Sequence, residues 1–172
     1  MKKKLLLIVL AVIIFIAFTS IYFFCSTSKG DTIESRESML NTAISKGKDW
    51  TISKEIELDG YIISAAYSTD HKATLAVFEP TGNGKYKFNT STTRDNEEII
   101  IGGTAINGKW YDLIWFNGAK TEFAEITYTI NGQMQDTLRY NTDNMDIIYY
   151  ENPEKEYSIH VVYYDSDGNK YE

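Results

Sequence analysis

Residues able to do chemistry are few in this sequence, and one strand-length stretch holds the most suggestive of them. It reads Lys109-Trp110-Tyr111-Asp112-Leu113-Ile114-Trp115-Phe116. Side chains alternate between the two faces of a strand. Trp110, Ile114 and Phe116 therefore share one face, and Tyr111, Leu113 and Trp115 share the other. One set must face the core. The other is either covered by a second layer, such as a helix over residues 31–46, or exposed as a contact patch. An open Trp/Tyr platform would take a sugar ring or a protein hot spot. Trp110, Tyr111, Trp115 and Phe116 are thus the candidate contact residues for a ligand or partner. Carboxylates offer a different chemistry: Asp112, Glu122 and Glu125 would suit a hydrolase if two carboxyls stood about 5–10 Å apart across a cleft.

Other catalytic signatures are missing from the sequence. His71 falls in an expected turn, where a solvated imidazole is the default, and His160 falls on an expected strand as an exposed or half-buried residue. There is no Gly-x-Ser-x-Gly elbow and no His-Glu-x-x-His helix, so neither pattern that places a nucleophile or a zinc ion is available. Asp165-Ser166-Asp167-Gly168-Asn169 puts oxygen side chains at alternate positions, as calcium loops do. An EF-hand, however, needs glycine sixth and glutamate twelfth, whereas here glycine comes fourth and Glu172 is the last residue. A hairpin turn accounts for Asp167-Gly168 without an ion. Asn141 to Asn144 with Asp146 forms a second acidic loop, read the same way. The glycines at 82, 84, 102 and 103 do not open a helix after a strand, so they make no phosphate cradle. No cofactor and no metal are expected.

The stretch from Leu5 to Cys25 decides where these residues work. It carries no charge, and its roughly 21 residues would span about 31 Å as a helix, close to a bilayer's hydrocarbon thickness. Lys2, Lys3 and Lys4 precede it and should stay cytoplasmic. The expectation is a tail over 1–4, a transmembrane signal anchor over 5–25, a spacer and short helix over 26–48, and an extracytoplasmic domain over 49–172. A cleaved secretory signal would be shorter and end in small residues. Here the run ends in Tyr22-Phe23-Phe24, although a cut within 26–28 is the competing reading. Phe24 also occupies the place where a lipoprotein signal needs a small residue, so Cys25 is read as a plain thiol at the membrane edge.

Beyond Cys25 the chain keeps 14 basic and 24 acidic residues, a net of about −10. Such a domain gains nothing from phosphate backbones, which excludes nucleic acid as a natural partner. Cations, basic peptides or neutral ligands suit it better. It has no cysteine with which to form disulfides, so stability must come from packing. Three tryptophans, four phenylalanines and a dozen tyrosines supply the material.

The elements follow from period and punctuation. Asp31 with Glu34 has the form of a capping box. Ile33, Leu40 and Ile44 fall near one helical face beside Met39 and Ala43, and Lys46-Gly47 reads as a stop. From Trp50 onward the period is two. Asp59-Gly60, Asn83-Gly84, Asn107-Gly108, Asn117-Gly118 and Asn131-Gly132 mark hairpins. Asn89 to Asn96 is polar and reads as an exposed loop. A shift of 48 residues superposes several of these turns, the pattern a duplicated motif would leave. The fold class expected is mainly β, an antiparallel β-sandwich or flattened barrel of about nine or ten strands, preceded by the short helix and the anchor.

The layout is similar to that of small uncharacterised membrane-anchored exported proteins of Gram-positive bacteria. The similarity rests on Lys2-Lys3-Lys4, the 5–25 run, and a Lys/Asn/Ile/Tyr-rich β domain without disulfides. It implies a location and a style of fold and carries no function. The expected role is a non-catalytic binding module touching a protein or cell-envelope partner at the membrane surface. An envelope hydrolase and a structural subunit of a membrane complex are the alternatives.

Overall fold

A computed structural model of the chain describes residues 30–95, 99–116, 121–141, 146–152 and 157–171. The 5–25 run, Cys25, the Asn117-Gly118 turn and residues 142–145 of the acidic loop lie outside these residues. Among the described residues, no helix is long and apolar enough to cross a membrane.

The domain is mainly β: ten antiparallel strands and a two-residue edge strand in three sheets, with one short helix. The helix α1 (Ile33–Ala43) leads into β1 (Thr51–Leu58), β2 (Tyr61–Tyr67), β3 (Lys72–Gly82) and β4 (Lys85–Asp95), which pair in sequence order as the first sheet. The middle sheet has the order β5 (Ile99–Ile106), β6 (Lys109–Phe116), β9 (Ile147–Asn152). The third runs β11 (Lys170–Tyr171), β10 (Tyr157–Tyr164), β7 (Phe123–Ile130), β8 (Gln133–Asn141). Among the described residues no ladder joins one sheet to another, so no barrel closes.

Turn chemistry sets the registers. At Asp59-Gly60, Asn83-Gly84, Asn107-Gly108 and Asn131-Gly132 both residues adopt positive φ, between 50° and 84°. That is the type I′ geometry, whose twist matches the flanking strands. The last turn differs from expectation: only Gly168 is left-handed, at φ 77°, and Asp165 organises the turn instead. Its carboxylate accepts from the Asp167 and Asn169 backbone N–H groups and from Asn169 Nδ2. These bonds, the Asn169 backbone donor first, hold the Asp165 carboxyl below its usual range.

Two apolar interfaces hold the sheets together. Leu58, Ile63, Ala65, Leu75 and Val77 of the first sheet pack with Ile100, Tyr111, Leu113, Trp115 and Ile147 of the middle one. The Tyr67 and Trp115 rings meet there at 4.9 Å. The opposite face of the middle sheet, with Ile99, Ile114 and Phe116, packs on Ala124, Ile126 and Tyr128 of the third sheet. The middle sheet is therefore covered on both faces. The cover over Ile114 and Phe116 is a third sheet and not the helix, which corrects the expectation from sequence. Instead α1 lies on the outer face of the first sheet, where Leu40 and Ile44 meet Trp50, Ala66, Ala76 and Phe78.

The helix itself departs from the expected pattern in two ways. Its N-cap is Thr32, whose hydroxyl accepts from the Ser35 N–H while Ser35 returns the bond, so Asp31 and Glu34 do not form the box. The side chain it buries most tellingly is Arg36, 5 % exposed, while Ile33 faces solvent. Arg36 Nε and Nη2 donate to the two Glu55 carboxylate oxygens at 2.9 and 2.6 Å, and Nη1 donates to the Gly30 carbonyl at 2.6 Å. Ser64 adds a hydrogen bond to the same carboxylate at 2.5 Å. A forked, fully bonded pair of this kind fixes the helix in one orientation.

A further correction concerns residues 89–95, which are strand and not loop. Thr90, Ser91, Thr92 and Thr93 pair with β3, and a bulge at Asn89 absorbs the change of register between Phe88 and Thr90. Thr74 bonds to the Thr92 carbonyl and the Thr93 hydroxyl. Polar β-branched residues serve a half-covered edge strand well, and that reading competes with loop composition. The 48-residue shift, finally, is preserved within hairpins, β1–β2 with β5–β6 and β3–β4 with β7–β8, but not between them: β2 pairs with β3, whereas β6 pairs with β9. The corresponding turns do touch, through Asn107 Nδ2 and the Asp59 carbonyl at 3.3 Å.

Candidate functional site

Four aromatic residues singled out on β6 have different fates. Trp115 and Phe116 are 1 % exposed, and Tyr111 is also buried. Trp110 alone stays open, at 43 %. The expected platform of Trp110, Tyr111, Trp115 and Phe116 thus reduces, in the folded state, to one indole. The first sheet covers Tyr111 and Trp115 on one face, and on the other face position along the strand separates Phe116 from Trp110. Sheet three covers the Ile114–Phe116 end of β6 and thins toward the Asn107-Gly108 hairpin, where Gly103 and Ala105 on the same face are also exposed.

The open indole is nonetheless fixed. Its benzene ring lies over Gly103 of β5: a Cβ there would meet Trp110 Cζ2 at 2.4 Å. Only glycine allows that approach. Trp110 Nε1 donates to the Tyr157 hydroxyl at 2.9 Å, and that hydroxyl donates to Asp112 Oδ1 at 2.6 Å. Asp112 is two residues on from Trp110, on the same face of β6, and is 2 % exposed. A buried carboxylate thereby orients a tyrosine, and the tyrosine orients an exposed indole. Burial raises the Asp112 carboxyl above its ordinary range, against the opposing pull of the hydrogen bond from Tyr157. Burial, with Asp112 as hydrogen-bond acceptor, likewise raises the Tyr157 phenol.

Tyrosines continue this cluster inward. Tyr128 of β7 stacks on Tyr150 of β9 with centroids 4.0 Å apart. Its hydroxyl is buried with no hydrogen-bond partner among the described residues. Desolvation first, and the Asp112 charge second, push the Tyr128 phenol well above the usual tyrosine range. On the opposite face of β6, Tyr111 donates to Asp59 Oδ2 at 3.0 Å and reaches Glu151 Oε2 at 3.3 Å. Burial and these carboxylates push its phenol up to about 12. Lys109 pairs with the same Glu151 at 2.9 Å.

The acid–base trio is not assembled. Asp112 faces the interface between sheets two and three, whereas Glu125 projects from the far face of β7, alternating with buried Ala124 and Ile126. There it accepts from the Tyr164 hydroxyl at 2.9 Å, beside a stacked Phe123–Tyr164 pair capped by Arg139. Glu122 is exposed immediately before β7. Sheet three therefore separates Asp112 from Glu125. His71 and His160 are both exposed, and no group of three His, Cys, Asp or Glu side chains converges among the described residues. Sequence reasoning missed the roles of Tyr157 and Gly103. Only tertiary pairing brings either to Trp110, although Gly103 could have been suspected as a close approach of side chain to backbone within a strand.

Comparison with protein-family models, with curated proteins and with solved structures finds no match.

Proposed function

We propose that this chain is a membrane-anchored, extracytoplasmic, non-catalytic binding module built as a layered β-sandwich, with Trp110 at the centre of its contact surface. The 5–25 run would hold it in the membrane, with the amino terminus inside. Its partner would be a protein, a peptide or a cell-envelope component.

Trp110 is the observation that carries this reading. An indole left to minimise its exposure would fold onto apolar neighbours, because burying so large a ring is worth several kcal/mol at about 25 cal/mol per Å². Here a glycine and a two-step hydrogen-bond relay from a buried carboxylate hold it in place with its outer side open. A held ring loses little conformational entropy when a partner arrives, which is what a contact residue needs. Saccharide rings and proline-rich or aromatic segments are the chemistries that stack on such a surface.

The full-length chain in non-ionic detergent, screened against arrays of envelope glycans and extended peptides, tests the proposal. Binding that is lost in Trp110→Ala and retained in Tyr149→Phe, an exposed β9 tyrosine on the opposite face of the middle sheet, is expected. Equal binding by wild type and Trp110→Ala would refute it.

A further inference from the structure

Away from Trp110, at the far end of the first sheet, an open cleft of about 520 Å³ lies between the 45–48 segment after α1, the 68–72 turn and the end of β4. Lys46, Lys48, Lys72 and Arg94 line it with Asp70 and Asp95. In a domain with a net charge of about −10, this concentration of cations runs against the overall sign. Both carboxylates are already committed. Asp95 pairs with Lys72. Asp70 accepts from the Ser68 hydroxyl at 2.6 Å and from the Lys48 backbone N–H at 3.1 Å. Four cations against two carboxylates leave two positive charges in excess, and among the described residues Lys46, Lys48 and Arg94 form no ion pair, Arg94 bonding only weakly to the neighbouring Thr93 carbonyl at 3.3 Å.

The walls are rigid. Gly47, at φ 99°, rests on the buried Trp50 ring so closely that a Cβ would meet Cζ2 at 2.3 Å. The Lys48 carbonyl accepts from the Thr69 N–H at 2.9 Å and the Thr69 hydroxyl at 3.2 Å, so Lys48 is clamped at both its N–H and its C=O. Two net positive charges on a fixed frame, with one carboxylate paired to Lys72 and the other held by Ser68 and the Lys48 N–H, suit a compact oxyanion. We propose that this cleft binds a phosphate group, free or as the phosphate ester of an envelope polymer or lipid headgroup. The site is independent of Trp110 and of the partner proposed there.

Amide chemical shifts of the isotope-labelled full-length chain in non-ionic detergent provide the test. The probes are inorganic phosphate, glycerol phosphate, and dihexanoyl phosphatidylglycerol with the matching phosphatidylcholine as control. Saturable shifts confined to residues 46–48, 70–72 and 93–95 are expected. They should weaken on the order of tenfold in Lys46→Ala/Arg94→Ala and be restored in Lys46→Arg/Arg94→Lys. Saturation by the small phosphates identifies a free or polymer-borne group. Saturation by phosphatidylglycerol alone identifies a headgroup. Shifts reproduced by sodium chloride at equal ionic strength, or unchanged in the double alanine variant, overturn the proposal. Both substituted side chains are exposed, so an unaltered spectrum elsewhere separates loss of binding from loss of fold.

Discussion

Gly103→Ala isolates the device that holds Trp110. The backbone of Gly103 does not have positive φ, so alanine is conformationally allowed, and an alanine in a strand is favoured over glycine by about 0.5–1 kcal/mol. The new methyl, however, would stand 2.4 Å from Cζ2 and 3.0 Å from Cε2 of the indole. Carbon atoms prefer about 3.5–4.0 Å, so the ring must move outward by on the order of 1 Å. The ring is solvent-exposed on its outer side, so the bond to Tyr157 is what resists that movement. Moving it stretches the 2.9 Å bond from Nε1 to Tyr157, a loss of about 0.5–1.5 kcal/mol. Gain and loss nearly cancel, so the melting temperature should change by only a few degrees. The informative assay is the indole N–H resonance of Trp110 together with its solvent exchange. An upfield shift and faster exchange in Gly103→Ala, with the Trp50 and Trp115 resonances unmoved, are expected. An unchanged Trp110 resonance would refute the packing argument.

Other predictions concern the fold beneath the site. Glu55→Gln leaves a guanidinium buried without its counter-charge and should destabilise by about 3–5 kcal/mol, read as a lower denaturation midpoint; Arg36→Met/Glu55→Leu should recover much of that. Asp112 has a folded pKa above its unfolded value, so its contribution to stability is full below the usual carboxylate range and is lost as pH rises through the raised value. Wild type should therefore gain on Asp112→Asn as pH falls from 7 toward 4 in paired urea titrations, and a pH-independent difference would contradict the burial argument. Trp115→Ala should cost about 3–5 kcal/mol, whereas Trp110→Ala should cost far less because its ring is already half in water.

Local chemistry was legible where it acts within a few residues. The Asn-Gly and Asp-Gly pairs announced their turns because few other residues tolerate consecutive positive φ, alternation located β2, and the flanking turn signals located β6. The errors arose where distant segments decide. Residues 89–95 look like a loop until β3 supplies the hydrogen bonds. Asp31 and Glu34 fit a capping pattern as well as Thr32 and Ser35 do, and the entry of Gly30 beneath Arg36 favours the latter. Arg36 is polar in any sequence scan, and only Glu55, 19 residues away, makes its burial tolerable. Trp110 and Trp115 are equivalent in composition. They differ because they point to opposite faces of β6: the first sheet covers Trp115, whereas Trp110 faces the side where sheet three has thinned.

Single-tryptophan variants of the full-length chain test the central claim most directly. Acrylamide quenching of Trp110 alone, with Trp50 and Trp115 replaced by phenylalanine, should proceed several-fold faster than quenching of Trp115 alone, given exposures of 43 % and 1 %. It should slow when a stacking ligand is added. Equal protection of Trp110 and Trp115 would mean that β6 is core throughout and that the contact surface lies elsewhere.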